Sequence, residues 1–178
     1  MSAISPLRRA AIAAVSLALG AVLFHGSVAS ALVTRGDDLL RAGDLDGAIR
    51  SYVRAGRLDP RLASAADRLA FVLTMRRARG DAGRALDAAD AALRFAPHDP
   101  ALLADRALAG MRLARWRAAE RDFAEASRAA RDPRYAHFAA HMALRAGDRV
   151  AARRHLRDAL RIDARYAPAR AALGRLGA

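Results

Sequence analysis

The sequence predicts an all-α protein: a right-handed α-solenoid of about four helix-turn-helix repeats and a C-terminal capping helix, preceded by an N-terminal hydrophobic helix. Three observations support this fold class. A pattern of glycine, alanine and aromatic positions recurs at intervals of 37, 34 and 33 residues, apolar residues inside each copy recur at three- and four-residue steps, and a long uncharged segment precedes the copies. Repeats of this length are typical of solenoids, in which each repeat is one supersecondary unit.

The first predicted element is an apolar segment behind a basic start. The chain begins MSAISPLRR, and no charged residue follows between Arg9 and Arg35. At about 1.5 Å per helical residue, such a stretch is long enough to cross a hydrocarbon core of about 30 Å. We therefore expect residues 1–9 to be a cytoplasmic basic N-terminus and residues 10–30 to be a transmembrane signal-anchor.

A cleaved signal peptide is the alternative interpretation of this segment. Ala10–Phe24 would be its h-region, and Ala29-Ser30-Ala31 would be its A-x-A cleavage site. That site lies inside the first repeat defined below, which favours the uncleaved anchor. A buried first helix of a soluble protein is a third interpretation.

The basic residues Arg8 and Arg9 predict the side of the membrane on which the rest of the chain lies. Positive charge before an apolar segment favours the cytoplasm, so the remainder is expected outside it. The predicted location is the inner membrane, single-pass, with the C-terminal domain in the periplasm. Cleavage of the signal would instead give a secreted or periplasmic protein.

Four copies of one pattern follow the apolar segment. Each has an alanine in its second predicted helix: Ala48, Ala85, Ala119 and Ala152. A Gly-Asp pair stands five residues before this alanine in the first, second and fourth copies, and Ala114-Arg115 stands there in the third. Glycine supplies a left-handed cap to the first helix, and aspartate caps the start of the second. Each copy is therefore predicted to be a helical hairpin.

The residues that follow these alanines predict how the hairpins pack. Four residues later comes a side chain suited to the space between helices: Tyr52, Ala89, Phe123 or Leu156. Another alanine follows three residues beyond, and Pro60 and Pro97 end the second helices of the first two copies. Within a domain of residues 31–178, the repeats are predicted at about 29–62, 63–99, 100–132 and 133–166, with a cap at 167–178.

This pattern resembles the tetratricopeptide repeat family, of a membrane-anchored or exported bacterial type. The first copy carries the family's residues at the family's spacing: Leu32, Gly36, Gly43, Ala48, Tyr52, Ala55 and Pro60. The sequence departs from the family at Leu73 and Ala107, where a helix-packing glycine is usual, and in an insertion of about three residues before Gly80. The resemblance implies a protein-binding scaffold whose first helices line a concave groove.

Composition excludes several functions. The chain has no cysteine, which excludes disulfides, thiolate metal sites and a cysteine nucleophile. No motif of a phosphate-binding loop, dinucleotide fold or hydrolase is present. His137 and His141 are spaced like metal ligands but lack a third ligand nearby. We therefore predict a protein that is not an enzyme, with no catalytic residue, metal or cofactor.

Charge and the family resemblance together predict the binding residues. The chain carries a net charge of +13, and residues 131–178 hold 11 Arg against 4 Asp, an excess of +7. The resemblance places these residues in the groove: Asp37, Leu40, Arg41, Asp67, Thr74, Arg77, Ala104, Leu108, Met111, Arg112, Arg134, His137, His141, Leu144 and Arg145. From them we predict a partner-binding set of Arg77, Met111, Arg112, Arg134, His137, His141 and Arg145.

The predicted partner is a protein that offers an acidic or amphipathic segment, because four members of this set form a basic stripe on one helical face. The family's carboxylate clamp uses Lys and Asn, and this chain has neither. No nucleic acid is expected, since no reading motif accompanies the charge. The alternative function is a polyanion-binding module whose basic C-terminal end, with Arg153, Arg154, Arg157 and Arg161, docks on anionic lipid or polysaccharide.

Overall fold

The structure is a computed structural model, which describes residue 15 and residues 26–177. The predicted cytoplasmic N-terminus and most of the predicted anchor, including nearly all of Ala10–Phe24, lie outside the described residues. Within the part that is described, no helix is long and apolar enough to cross a membrane.

Residues 26–177 form nine helices and no strand. The first, α1, covers residues 26–41. The others are α2 (Leu45–Leu58), α3 (Ala63–Arg76), α4 (Asp81–Leu93), α5 (Pro100–Arg112), α6 (Trp116–Ala130), α7 (Pro133–Arg145), α8 (Arg149–Ile162) and α9 (Ala167–Gly177). From α2 onward, each helix packs against the next along the chain, which is the arrangement of a solenoid. The predicted all-α solenoid is confirmed.

The core follows the repeated alanines and the bulky residue after them. Ala48, Ala85, Ala119 and Ala152 are 0–1% exposed. Tyr52, at 0% exposure, fills the space between α1 and α2, and a Cβ on Gly36 would overlap its ring. Close packing of this kind leaves no room for an added methyl group, so Gly36 is required by contact rather than by its backbone angles.

The turns between paired helices use a left-handed residue, as the glycines predict. Gly43, Gly80 and Gly147 have φ of 82°, 83° and 80°. Ala114 occupies the same position in the third repeat and keeps the left-handed backbone, with φ of 56°, although it is not glycine. The packing of α5 and α6 therefore imposes this conformation where local preference opposes it.

Aspartate caps the second helix in two of the three predicted places. Asp44 accepts a hydrogen bond from the Gly47 amide at 2.8 Å, and Asp148 accepts one from the Ala151 amide at 2.8 Å. Asp81 differs: it is the first residue of α4 and accepts from the Ala78 amide at 2.9 Å. The capping prediction is thus wrong for Asp81, which uses its carboxylate to hold the preceding turn and an arginine.

Two arginines of first helices join second helices on either side. Arg76 of α3 pairs with Asp46 of α2 and with Asp81 of α4. Its guanidinium lowers the pKa of Asp81, which is 1% exposed. One repeat later, Arg106 of α5 pairs with Asp90 of α4 at 2.9 Å and with Asp122 of α6 at 2.7 Å. These pairs stabilise the stacking of successive repeats.

Ala114→Gly should raise the free energy of unfolding by about 0.5–1 kcal/mol, because glycine adopts a positive φ without the steric penalty of a Cβ. Gly147→Ala is the matched control, since it introduces the same penalty at the same turn position and should lower stability by about 1 kcal/mol. Urea denaturation of both variants measures the effect. Equal shifts in the same direction would contradict the proposed strain at Ala114.

Candidate functional site: the inner face of the first helices

The first helices of successive repeats form the inner layer of the solenoid. α3 packs directly against α5, and no pair of successive second helices among residues 26–177 packs as extensively. Side-chain contacts continue this row. Arg68 of α3 lies 3.3 Å from Asp37 of α1, and His137 of α7 contacts Tyr166, just before α9. These contacts place first helices side by side in one layer, which is the layer that the family resemblance assigns to the groove.

The stripe on α7 has the predicted spacing and consists of Arg134, His137, His141 and Arg145. Its members differ in the contacts that they already make within the protein. Arg134 is exposed and donates to both carboxylate oxygens of Asp132, at 2.6–3.1 Å. This hydrogen-bonded carboxylate raises the pKa of the Arg134 guanidinium and offsets its charge. Arg134 therefore contributes less to the basic stripe than its spacing suggests.

The two histidines of the stripe contact each other. The rings of His137 and His141 meet edge to face, with centroids 5.2 Å apart, and His137 also meets Tyr166 at 5.8 Å. Burial lowers the pKa of His137 below its ordinary value, and His141 and Arg175 lower it further. His137 therefore gains a proton only below its ordinary range, so at neutral pH it acts as an aromatic wall of the groove.

Arg145 ends the stripe in a defined position. Its guanidinium lies over the Trp116 ring, 4.3 Å from the centroid. A cation–π contact of this kind fixes the side chain while leaving its hydrogen-bond donors available. Among the described residues Arg145 has no carboxylate partner and it is exposed. It is the best placed of the predicted residues to bind a carboxylate from another molecule.

The three predicted residues on other helices are not joined to this stripe by the described contacts. Arg112 is exposed in the last turn of α5. Met111 is partly buried against the core around Phe123. Arg77 lies past the end of α3, as its C-cap, with φ of 57°. The predicted set is therefore a stripe of four on α7 with Arg112 on the adjacent first helix, and Arg77 sits in a turn.

The other half of the groove carries three aspartates, Asp37, Asp67 and Asp105. Asp37 accepts a hydrogen bond from the buried Tyr52 hydroxyl at 2.7 Å. Farther along, the carboxyl groups of Asp67 on α3 and Asp105 on α5 are hydrogen-bonded to each other. Burial, the charge of Asp67 and this hydrogen bond raise the pKa of Asp105 to about 8, and Oδ2 of Asp105 is buried without a partner. At neutral pH the Asp105 carboxyl is therefore mostly protonated.

Several solved structures superpose on most of the chain. MamA from Desulfovibrio magneticus gives a TM-score of 0.69 at 16% identity, covering 84% of this chain and 83% of that one. PilF from Pseudomonas aeruginosa gives 0.67 at 19% identity, covering 85% and 68%. A tetratricopeptide repeat protein from Parabacteroides merdae gives 0.68 at 19% identity, covering 84% and 59%. The chain has the tetratricopeptide-repeat fold. No family model and no curated sequence matches it, so the likeness is one of structure.

The tetratricopeptide-repeat groove contains apolar residues that the sequence did not predict. Phe71 and Met75 of α3 are 48% and 52% exposed. They follow Asp67 at four-residue steps and therefore share its face of the helix. Buried Val72 and Leu73 occupy the other faces. The sequence could have indicated them, because α3 carries more apolar residues than one buried face needs, and two of these are four residues apart on another face.

Among residues 26–177 there is no group of three or more side chains of His, Cys, Asp or Glu that could hold an ion. His137 and His141 stack with each other and with aromatic rings instead. What the groove offers chemically is guanidinium groups, an aromatic wall, an apolar pair and the mostly protonated carboxyl group of Asp105.

Proposed function

We propose that this protein is a non-enzymatic scaffold that holds an acidic or amphipathic segment of a protein partner in the concave groove, as part of an envelope assembly. One observation carries the proposal: Arg145 and Arg112 are exposed on adjacent first helices, and neither has a carboxylate partner among the described residues. A guanidinium held in place by Trp116 binds a carboxylate at a smaller entropic cost than a free one.

The groove also suits a segment with apolar anchors. Phe71 and Met75 lie toward the amino-terminal half, and the basic stripe lies on α7. An amphipathic helix or extended segment could place apolar side chains on the first pair and carboxylates on the stripe. Exposed aromatic and Met side chains are enriched at protein interfaces, which supports this arrangement.

Membrane anchoring and a periplasmic location are part of the proposal and rest on the sequence of residues 1–35. The basic start and the uncharged stretch support an uncleaved segment with the repeats outside the cytoplasm. Mass spectrometry of the mature amino terminus tests this. A chain beginning at Ser30, Ala31 or Leu32 would contradict the anchor and leave an exported protein.

Arg112→Gln/Arg145→Gln should reduce partner recovery by about tenfold or more, because each charge-assisted hydrogen bond lost costs about 1.5–3 kcal/mol. The measurement is a crosslinking pull-down from membranes, followed by a binding titration with the purified partner. Arg154→Gln/Arg157→Gln is the matched control, since it removes two exposed arginines from α8 and changes the net charge equally. Unchanged recovery with the groove variant would refute the groove as the binding site.

The same pair of variants tests the alternative, a module that docks its basic C-terminal end on anionic lipid or polysaccharide. Arg154 and Arg157 are exposed on α8, and they lie in the part of the chain with the largest basic excess. Under this alternative, the α8 variant and not the groove variant should lose binding to anionic vesicles. High ionic strength should also reduce the binding of the parent to anionic vesicles, because salt screens exposed charges.

A further inference from the structure

A basic pocket lies in the outer layer of the solenoid, apart from the groove. It has a volume of about 420 Å³ and lies between the ends of α6 and α8. Three arginines line it: Arg128 in the last turn of α6, Arg131 in the turn that follows, and Arg161 in the last turn of α8. Ser127, His155 and one carboxylate, that of Asp158, line it as well. The pocket therefore brings three guanidinium groups from two helices and a turn around one space.

The wall of the pocket is held by buried hydrogen bonds. Ser127, 4% exposed, donates from Oγ to the Asp132 carbonyl at 3.0 Å, which fixes the turn that carries Arg131. His155, 6% exposed, has Nε2 3.0 Å from Oε1 of Glu120 on α6. This contact ties α8 to α6 beneath the pocket. These contacts hold in place the backbone that carries the arginines, which lowers the entropic cost of binding.

The charge of the pocket is not balanced by the protein. Arg161 pairs with Asp158, but Arg128 and Arg131 have no carboxylate partner among the described residues. The C-terminal ends of α6 and α8 add about half a negative charge each. Three arginines, one aspartate and these two helix ends leave about one positive charge, with the contacting pair His155 and Glu120 left out of the count. The partial negative charges of the two helix ends therefore offset only part of the positive charge of the three arginines.

We propose that this pocket binds a phosphomonoester group, either free in solution or as the headgroup of a lipid. Guanidinium groups present paired donors that match phosphate oxygens, and charge-assisted hydrogen bonds to phosphate are about twice as strong as neutral ones. Three guanidiniums around one space suit a tetrahedral anion with several oxygens better than a single carboxylate. The site is on the second helices, so it does not depend on the function proposed for the groove.

Calorimetric titration of the full chain in detergent with inorganic phosphate, at constant ionic strength, tests the site. The parent should bind saturably, and Arg128→Gln/Arg131→Gln should raise the Kd by about tenfold or more. Arg50→Gln/Arg54→Gln, two exposed arginines of α2, is the control with the same change in charge and should keep the parent Kd. No saturable binding by the parent, or equal weakening in both variants, overturns the proposal.

A second variant tests the site in case Arg128→Gln/Arg131→Gln does not fold. Arg161→Gln changes a single exposed side chain on α8 and should also weaken phosphate binding, with thermal melting close to that of the parent. A folded Arg161→Gln protein with the parent Kd, together with a folded Arg128→Gln/Arg131→Gln protein with the parent Kd, would refute the site.

Vesicle flotation distinguishes the two sources of phosphate. All variants share the same amino-terminal segment, so the informative quantity is the difference between vesicles with phosphatidic acid and vesicles of phosphatidylcholine alone. A difference present in the parent and lost in Arg128→Gln/Arg131→Gln identifies a lipid headgroup. Phosphate binding in calorimetry with equal flotation on both vesicles identifies a soluble phosphomonoester.

Discussion

Asp105→Asn should raise the free energy of unfolding at about pH 8 by about 2–4 kcal/mol, which is an unusual gain for a single substitution. The Asp105 carboxyl is largely buried between α3 and α5, beside Asp67, and its Oδ2 has no hydrogen-bond partner. Its ionised form is disfavoured by burial and then by the negative charges of Asp67 and Asp99. An asparagine amide has nearly the same shape, carries no charge, and can donate to the Asp67 carboxylate.

The sign of the pH dependence follows from the raised pKa. The pKa of Asp105 is 3.8 in its ordinary state and about 8 in the folded protein. Between these values the folded chain binds one proton more than the unfolded chain, so stability falls as pH rises, by up to about 1.4 kcal/mol per pH unit. Below the ordinary pKa both states are protonated, and the substitution should have little effect there.

Urea denaturation of the parent and of Asp105→Asn at about pH 4, 6 and 8.5 measures this dependence. The stability advantage of the variant should grow across the series. Asp87→Asn, an exposed carboxylate on α4, is the matched control and should follow the parent. A variant no more stable than the parent at the highest pH would contradict the raised pKa of Asp105.

Much of the fold was predictable because the repeat pattern is local. The glycines at the turns and the alanines five residues later are set by the backbone angle of one residue and by the closeness of two helices. Ala114 shows where this reasoning ends. Its sequence no longer requires a left-handed backbone, yet φ is 56°, because the neighbouring repeats pack as they do elsewhere.

The candidate site was predictable only in part, because an insertion shifts residues relative to the end of a helix. The stripe on α7 was found because its four residues lie on one uninterrupted helix. On α3 the insertion before Gly80 falls in the turn, so Arg77 lies past the last helical residue, Arg76. The exposed groove residues of that helix are Phe71 and Met75, which lie within it. An alignment to the family pattern does not show whether an insertion lies inside a helix or in the turn after it. The packing of the helix against its neighbours determines which of the two occurs.

The ionic contacts between repeats were not predictable from the sequence. Asp67 and Asp105 are 38 positions apart, and Arg106 and Asp122 are 16 apart. A chain with 31 arginines and 18 acidic residues offers many possible pairings of this kind. Which of them form depends on the rotation of each helix about its axis, and hydrophobic spacing sets that rotation too loosely to choose among them.

Arg106→Ala should lower the free energy of unfolding by about 2–4 kcal/mol. Arg106 donates from Nε and Nη2 to the two carboxylate oxygens of Asp122, at 2.9 and 2.7 Å, and from Nη1 to Asp90 at 2.9 Å. The Asp122 side chain is only 12% exposed. Removing the arginine leaves this carboxylate desolvated and unpaired, close to a second negative charge, which costs more than the loss of a surface ion pair.

Arg117→Ala is the control, because Arg117 is 66% exposed and its single ion pair with Asp148 spans 4.0 Å. It should change stability by less than about 1 kcal/mol. A second comparison separates a buried unpaired charge from lost packing: Arg106→Leu/Asp122→Leu removes both charges and should recover much of the stability lost in Arg106→Ala.

The double variant should still differ from the parent in the spacing of its repeats. Arg106 joins α5 to both α4 and α6, and leucine side chains would contact one another without fixing the position of Asp90. Amide exchange in α4 should therefore rise in the double variant even where the free energy of unfolding is restored, because local opening depends on contacts between neighbouring repeats. Exchange in α4 equal to that of the parent would mean that Arg106 contributes stability but does not couple the second repeat to the third.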